Sequence, residues 1–303
     1  VPPRGERYAR AGPSDVGSER AQYAIRLFCS SEFAVGSEVF HTVLGWRVAP
    51  RPDRVQLPEH FPTSYAVPGI PPLNPSQTAA VQAVLFRPRG VTLIRGPPGT
   101  GKTDTLTAII YHVSRQGTGR VLLAVPSNSA ADNAALRIVR TGLTTIRYRT
   151  SRNRPPVGFP AELLLSHHAN KFLSTADALK LYKLEQLELE ANAIGAELSS
   201  KDKMEKDKII EACEGSALAA AQVVIVTCAT AGHAQILQLA FNTVIIDEAT
   251  QSTEPESLIP ITRGCHQLVL VGDDKQLGPV VGDEATSRAG LGEPLFNRLI
   301  AHL

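Results

Sequence analysis

The chain has 303 residues, of which 43% are hydrophobic and 20% charged, and 31 basic against 29 acidic residues leave a net charge of +2. This composition is typical of a globular protein of one or two domains. No apolar run is long enough to span a bilayer, so no membrane association is expected. The near-neutral charge neither requires nor excludes nucleic acid, because a basic groove can be present within a balanced total. The four cysteines lack C-x-x-C spacing, which favours reduced thiols in an intracellular protein over a zinc site.

The first 72 residues are rich in proline, since eleven of the 22 prolines precede Ser76. Proline interrupts regular structure, so we expect residues 1–72 to form an accessory segment wrapped on the main domain. A helix is predicted over Ser18–Phe28, and Val39–Arg47 has the character of a strand or a short helix. The start at Val1, without a methionine, favours a fragment of a longer protein.

From Leu73 onward, short apolar segments alternate with helical ones, which predicts a second unit over 73–303. The candidate strands are Val91–Arg95, Arg120–Val125, Thr144–Tyr148, Val223–Thr227, Thr243–Asp247 and Gln267–Gly272. Each is short and rich in Val, Ile, Leu or Thr, as parallel strands covered on both faces should be. The alternation therefore predicts an α/β fold with a parallel sheet and right-handed crossovers.

Residues 161–220 interrupt this alternation. The stretch contains no proline, and apolar residues recur at helical spacing among many Lys and Glu. Ser199–Asp202 fits the S-x-x-D pattern of a new helix start. We therefore predict a two-helix hairpin inserted into the α/β domain, with a solvated helical spacer as the alternative.

A complete G-x-x-x-x-G-K-[ST] phosphate loop follows the first candidate strand. It consists of Gly96, Pro97, Pro98, Gly99, Thr100, Gly101, Lys102 and Thr103. Its glycines let backbone N–H groups converge on a polyphosphate at the start of a helix predicted over Thr105–Gln116. Lys102 is expected to reach the β and γ phosphates of ATP, and Thr103 to place its hydroxyl on Mg²⁺. The alternative is a glycine-rich turn with an incidental lysine.

Two carboxylates, Asp247 and Glu248, end the fifth candidate strand. Beside a phosphate loop, Asp247 is expected to hold Mg²⁺ through water and Glu248 to polarise the attacking water. Because acids also favour the first turn of a helix, a simple cap is the alternative. Glu248 suits a hydrolase, whereas a stand-alone nucleotide kinase has no need of it.

A polar loop over Gly272–Gln276 follows the last candidate strand. Its Gln276 is expected to reach the γ-phosphate or the water. A glycine and aspartate after a strand are also common in plain turns, and the position after the Asp247–Glu248 strand favours the functional interpretation.

Weaker signals lie elsewhere in the chain. Gln77, upstream of the phosphate loop, carries an amide that can read an adenine. Ser127 and Asn128 follow the second strand and Thr230 follows the fourth, where they can contact sugar-phosphate or simply cap helices. A basic run over Arg147–Arg154 can follow a phosphate backbone or form a solvated face.

Taken in order, Gln77, Gly96–Thr103, Pro126–Asn128, Asp247–Gln251 and Gly272–Gln276 resemble the motif series of superfamily 1 helicases. The D-E-A-x-Q form, with Pro-Ser-Asn and Gly-Asp-x-x-Gln-Leu-Gly-Pro, is similar to their up-frameshift branch, which includes the RNA helicases of nonsense-mediated decay. The resemblance runs roughly from Val39 to the C-terminus.

The resemblance implies a RecA-like domain that binds ATP and Mg²⁺ and is half of a 5′-to-3′ motor on single-stranded RNA, with DNA as the alternative. It also implies cytoplasmic or nuclear location, decay-factor proteins as partners, and a second RecA-like domain beyond Leu303. That second domain carries the family's arginine fingers, so the chain alone is expected to be a poor ATPase. Asp104 departs from the family pattern and is expected to weaken nucleotide binding. A truncated, non-catalytic nucleic-acid or protein-binding paralogue is the rival interpretation.

Overall fold

A computed structural model describes residues 15–30, 35–46, 65–87, 89–117, 119–150 and 154–302. Its centre is a six-stranded sheet in the order β1-β6-β5-β2-β4-β3, and every strand pair is parallel. The strands are β1 Gly90–Arg95, β2 Val121–Val125, β3 Thr145–Arg147, β4 Val223–Thr227, β5 Thr243–Ile246 and β6 Gln267–Gly272. The predicted α/β fold with a parallel sheet is confirmed, and each strand lies within one residue of its predicted ends.

The helices occupy both faces of the sheet. They are α1 Asp15–Ser30, α2 Ser37–Val43, α3 Pro75–Leu85, α4 Lys102–Arg115, α5 Asn128–Ile138, α6 Leu165–Ala169, α7 Thr175–Ala193, α8 Ser200–Ala220, α9 Ala234–Leu237, α10 Glu254–Ile261, α11 Glu284–Thr286 and α12 Leu295–His302. Within the described ranges, no helix is both long and apolar enough to cross a membrane.

Alternate strand residues enter two separate cores. Leu122, Val224, Val244 and Leu270 face the core formed with α1, α2, α10 and α12. Their neighbours along the strands face the second core, which is formed with α3, α4 and α5. Because both faces are covered, the strands are mostly apolar, and β2, β4, β5 and β6 are buried at every position.

The N-terminal helix α1 packs along α10, and its Ala24 and Phe28 are buried in the first core. It contains the predicted helix Ser18–Phe28, which is confirmed. The Val39–Arg47 segment forms the short helix α2 rather than a strand, and Arg47 lies outside the described residues. The division into an accessory segment over 1–72 and a domain over 73–303 stays a prediction.

Helices α7 and α8 form the predicted hairpin between β3 and β4. The Ser199 side chain accepts a hydrogen bond from the Asp202 N–H, so the predicted cap is present. An ion pair between Lys206 and Glu188 joins the two helices. Much of the apolar stripe of α7 faces solvent rather than a core: Leu179, Tyr182, Leu187 and Leu189 are all exposed.

Candidate nucleotide-binding site

The sheet order brings the three strongest motifs together. Strands β1, β6 and β5 are neighbours, and the carboxyl ends of parallel strands meet at one edge of the sheet, where α/β proteins bind ligands. The phosphate loop follows β1, Gly272–Gln276 follows β6, and Asp247 and Glu248 follow β5. The Gly96 N–H donates to the Gly272 carbonyl at 3.1 Å, which joins two of these segments directly.

The phosphate loop needs its glycines for steric reasons. Gly99 and Gly101 adopt left-handed backbone angles, with φ of +77° and +78°. A Cβ atom on Gly101 would lie 2.4 Å from Nε2 of Gln77, and one on Gly96 would lie 2.8 Å from Cγ of Lys102. The left-handed angles are what favour glycine at positions 99 and 101, and a side chain at 96 or 101 would also displace Lys102 or Gln77.

Helix α4 begins at Lys102, three residues earlier than predicted, because left-handed Gly101 serves as its N-cap. Its partly positive N-terminus faces the loop. Lys102 leaves only 11% of its side chain exposed, and its Nζ lies 3.9 Å from Oε1 of Glu248. Thr103 is exposed at the first turn. The glycine cradle, the lysine and the helix start fit a triphosphate.

Thr103 and Asp247 offer oxygen donors of the kind that Mg²⁺ binds, but two protein donors would need substrate phosphates to complete the coordination. In the described part of the chain, no group of three or more His, Cys, Asp or Glu is placed to hold a metal by itself. That fits Mg²⁺, which is usually bound through one or two carboxylates together with phosphates and water.

Asp247 is half-buried directly after β5. Its Oδ1 accepts a hydrogen bond from the Glu248 N–H at 2.9 Å, and its own N–H donates to the Ala124 carbonyl at 3.0 Å. Burial raises the pKa of its carboxyl to about 6, and the neighbouring Glu248 carboxylate acts in the same direction. The fold alone therefore stabilises the negative charge of Asp247 poorly, and a cation bound at this position would stabilise it.

Without nucleotide and Mg²⁺, Asp247→Asn is expected to stabilise the fold at neutral pH. The raised pKa means that ionised Asp247 costs folding free energy, a penalty that is complete above pH 6 and disappears as the pH falls towards about 4. The gain should be on the order of 2–3 kcal/mol at pH 8 and shrink on acidification. Urea unfolding of both proteins between pH 4.5 and 8 tests this, and a gain that grows on acidification would contradict it.

Glu248 has an unusual backbone. Its φ of 50° and ψ of 40° are left-handed, and it is the only such residue besides glycines in the described ranges. Its side chain is 27% exposed and accepts a hydrogen bond from Gln251 Nε2 at 3.4 Å. Strained conformations of this kind cluster at functional sites. This backbone turns the chain sharply after β5, next to Lys102.

Gln276 is held by Asp273, a residue to which sequence reasoning gave no role. Gln276 Nε2 donates to Asp273 Oδ2 at 3.1 Å, and the Lys275 N–H donates to Oδ1 at 3.1 Å. The Lys275 N–H is the main reason that the pKa of the Asp273 carboxyl lies below its usual range. The signal available in the sequence was an aspartate directly after a strand; its burial appears only in the structure. Contact of Gln276 with a γ-phosphate stays a prediction.

Gln77 is part of the architecture of the loop. Its Oε1 accepts from the Asn74 N–H at 2.9 Å in a capping box at the start of α3, and its Nε2 donates to the Thr100 carbonyl at 3.2 Å. Both ends of the amide therefore have partners in the chain. Gln77 links α3 to the phosphate loop, while recognition of adenine stays a prediction.

The three predicted nucleic-acid contacts end β2 and β4, at the same sheet edge. Ser127 caps α5 by accepting from the Ala130 N–H at 3.2 Å, and Asn128 Oδ1 accepts from Arg147 Nη2 at 2.8 Å. Thr230 N–H donates to Thr227 Oγ1 at 3.2 Å. Each makes a hydrogen bond within the fold, and contact with nucleic acid stays a prediction.

The interpretation of the Arg147–Arg154 run as a surface for a phosphate backbone is wrong for its first two members. Only 1% of the Arg147 side chain is exposed, and its Nε donates to Asp132 Oδ1 at 3.0 Å. Arg149 also pairs with Asp132 and lies over the Phe159 ring. Both guanidinium groups compensate a carboxylate inside the fold. Arg152 lies outside the described residues, and Arg154 is exposed.

The structure gives Asp104 a partner that the sequence did not indicate. Arg137 of α5 donates from Nε to Asp104 Oδ1 at 2.7 Å, and its Nη2 contacts the same oxygen. The acid is therefore paired within the fold, and its expected weakening of nucleotide binding stays a prediction. No sequence pattern joins residues 33 positions apart on different helices.

Comparison with known proteins gives the context. The family model described as an AAA domain matches residues 72–175 and 166–284. The chain is 42% identical over 282 residues to the regulator of nonsense transcripts 1 homolog of Arabidopsis thaliana, covering 93% of this chain and 22% of that protein. It is 38% identical over 291 residues to the ATP-dependent helicase upf1 of Schizosaccharomyces pombe, covering 93% of this chain and 30% of that protein.

Among solved structures, the UvsW helicase from bacteriophage T4 is similar with a TM-score of 0.37 and 16% identity, covering 73% of this chain and 58% of that chain. A likeness of this size supports no functional argument. This chain spans less than a third of the length of either curated relative. The family match shows that the chain belongs to the AAA domain family, and the identities confirm its resemblance to the superfamily 1 helicases of the up-frameshift branch.

Proposed function

We propose that this chain is the ATP-binding half of an ATP-dependent helicase that moves 5′ to 3′ on RNA and acts in nonsense-mediated decay. One observation carries the proposal: the phosphate loop, Asp247 with Glu248, and Gln276 meet at the carboxyl ends of three adjacent strands. The relatives named as an ATP-dependent helicase and a regulator of nonsense transcripts support it.

Each side chain then has a defined task. Backbone N–H groups of Gly99–Thr103 and the Lys102 ammonium bind the phosphates of ATP, where negative charge develops during transfer. Glu248 orients the attacking water and accepts its proton. Thr103 and Asp247 hold Mg²⁺, which supplies positive charge at the phosphate oxygens when bound.

Nucleic acid lies, in this proposal, along the neighbouring part of the same sheet edge. Ser127 and Asn128 follow β2, which is next to β5, and Thr230 follows β4, which is next to β2. Contacts to sugar and phosphate carry little sequence preference, so binding should weaken steeply with salt. A second RecA-like domain beyond Leu303 supplies arginine fingers and the other wall of the groove, and decay-factor proteins in the cytoplasm are the proposed partners.

The experiment measures nucleotide binding and turnover separately. A fluorescent ATP analogue should bind the chain in a Mg²⁺-dependent manner, while phosphate release should be slow until the second RecA-like domain is supplied, because arginine fingers contribute roughly 10³–10⁵-fold. Absence of nucleotide binding would favour a non-catalytic binding module. Fast RNA-stimulated hydrolysis by residues 1–303 alone would show that another arginine completes the site.

A further inference from the structure

The ion pair between Asp104 and Arg137 joins the first turn of α4, which follows the proposed phosphate loop, to the last turn of α5. Asp104 is the third residue of α4 and follows Thr103 in the chain. Arg137 is in the last turn of α5, and its Nε and Nη2 both contact Oδ1 of Asp104. Only 23% of the Asp104 side chain and 29% of the Arg137 side chain are exposed. The two groups are therefore partly shielded from water.

The position of Asp104 is unfavourable for binding an anion. The first turn of a helix attracts negative charge, which is why phosphates bind there. A carboxylate fixed in that same turn competes for this attraction and repels a polyphosphate. Partial burial strengthens the repulsion, because charges near a protein surface interact several times more strongly than in bulk water.

Arg137 changes this balance. Its positively charged guanidinium contacts the Asp104 carboxylate, balances its negative charge and holds it against α5. Even a partly shielded ion pair contributes little to folding stability when it is isolated, so a purely structural role predicts only a small change in melting temperature when the pair is broken. The effect of the pair on a bound polyphosphate is larger in principle, since the ligand carries several negative charges.

We propose that Arg137 is a positioning residue that neutralises Asp104 and holds it away from the nucleotide phosphates. Nucleotide affinity then depends on the pair and not on either residue alone. Arg137 lies more than 30 residues from the phosphate loop in sequence and belongs to none of its motifs. The inference rests on the proposed function, in that ATP binds at Gly96–Thr103.

Four proteins test this: the wild type, Arg137→Met, Asp104→Asn and the double variant. Arg137→Met should weaken ATP binding by about three- to tenfold, the order expected for one uncompensated charge acting over several ångström. ADP, with less charge, should lose less affinity. Asp104→Asn should bind as well as the wild type or more tightly, and the double variant should match Asp104→Asn. The readout is the dissociation constant for fluorescent ATP and ADP analogues.

Three controls separate charge from structure. Arg137→Lys keeps the charge and should restore most of the affinity. Arg140→Met removes an exposed arginine one turn away and should leave affinity unchanged. Raising the salt concentration should reduce the effect of Arg137→Met, because ions screen repulsion. Melting temperatures show whether each variant is folded.

The outcomes are distinct. Equal ATP affinities of the wild type and Arg137→Met would overturn this inference and leave the proposed function intact. Equal losses in Arg137→Met, Asp104→Asn and the double variant would identify the pair as a structural brace and also overturn it. Failure of the wild type to bind ATP would overturn the proposed function together with this inference.

Discussion

Replacement of Lys102 by alanine should weaken binding of an ATP analogue by about 10- to 100-fold, the range expected when a charge-assisted hydrogen bond worth roughly 1.5–3 kcal/mol is lost. The reason is geometric. Lys102 is the lysine of the phosphate loop, and its side chain is largely shielded from solvent. No other lysine of the described residues lies in that loop. Fluorescence titration in the presence of Mg²⁺ measures the affinity.

The matched control for this experiment is Lys183→Ala. Lys183 is exposed on α7, far along the chain from the phosphate loop, and its replacement removes the same charge from the protein. It should leave affinity unchanged. Equal affinities of the wild type and Lys102→Ala would show that nucleotide, if bound, lies elsewhere on the molecule.

Substitution of Glu248 by glutamine should abolish most turnover while ATP stays bound. Removal of a general base typically lowers the rate about 10²- to 10⁴-fold. Glutamine keeps the size of the side chain and loses its capacity to take a proton. Because turnover in the proposed motor requires a second RecA-like domain, phosphate release is measured with such a domain supplied, and ATP affinity is measured on the same protein.

Glu190→Gln provides the comparison, since Glu190 is exposed on α7 and away from the site. It should hydrolyse ATP at the wild-type rate. Unchanged turnover in Glu248→Gln would place the base on another residue. Loss of ATP affinity along with turnover would instead indicate that Glu248 acts in binding.

Sequence reasoning succeeded where local sterics dictate the structure. The phosphate loop could be predicted because its left-handed backbone at Gly99 and Gly101 requires glycine at fixed positions. The strands could be predicted because burial on both faces requires unbroken apolar runs. In both cases the residues that meet the requirement are close together in the sequence, so the pattern can be recognised there.

The same reasoning failed where partners come from distant parts of the chain. Arg147 and Arg149 look like a basic surface in sequence, yet both form ion pairs with Asp132 on α5 and are shielded from solvent. Asp104 looks unpaired until α5 brings Arg137 against it. A charge cannot be assigned to solvent or to a buried pair before the tertiary contacts are known.

The exposed stripe of α7 shows a third kind of limit. Helical spacing correctly indicated a helix, but Leu179, Tyr182 and Leu189 face solvent in this structure. Periodicity reports which residues share one side of a helix. It does not report whether that side has anything to pack against.

The left-handed backbone of Glu248 has a consequence for how this sequence could change over time. A residue with a Cβ at φ 50° raises the free energy of the folded state by about 1–3 kcal/mol. Glycine at the same position would avoid most of that strain. Selection for thermal stability alone would therefore drive position 248 towards glycine. Under the proposed role of Glu248 as the base, selection for hydrolysis is what would keep a glutamate at this strained position.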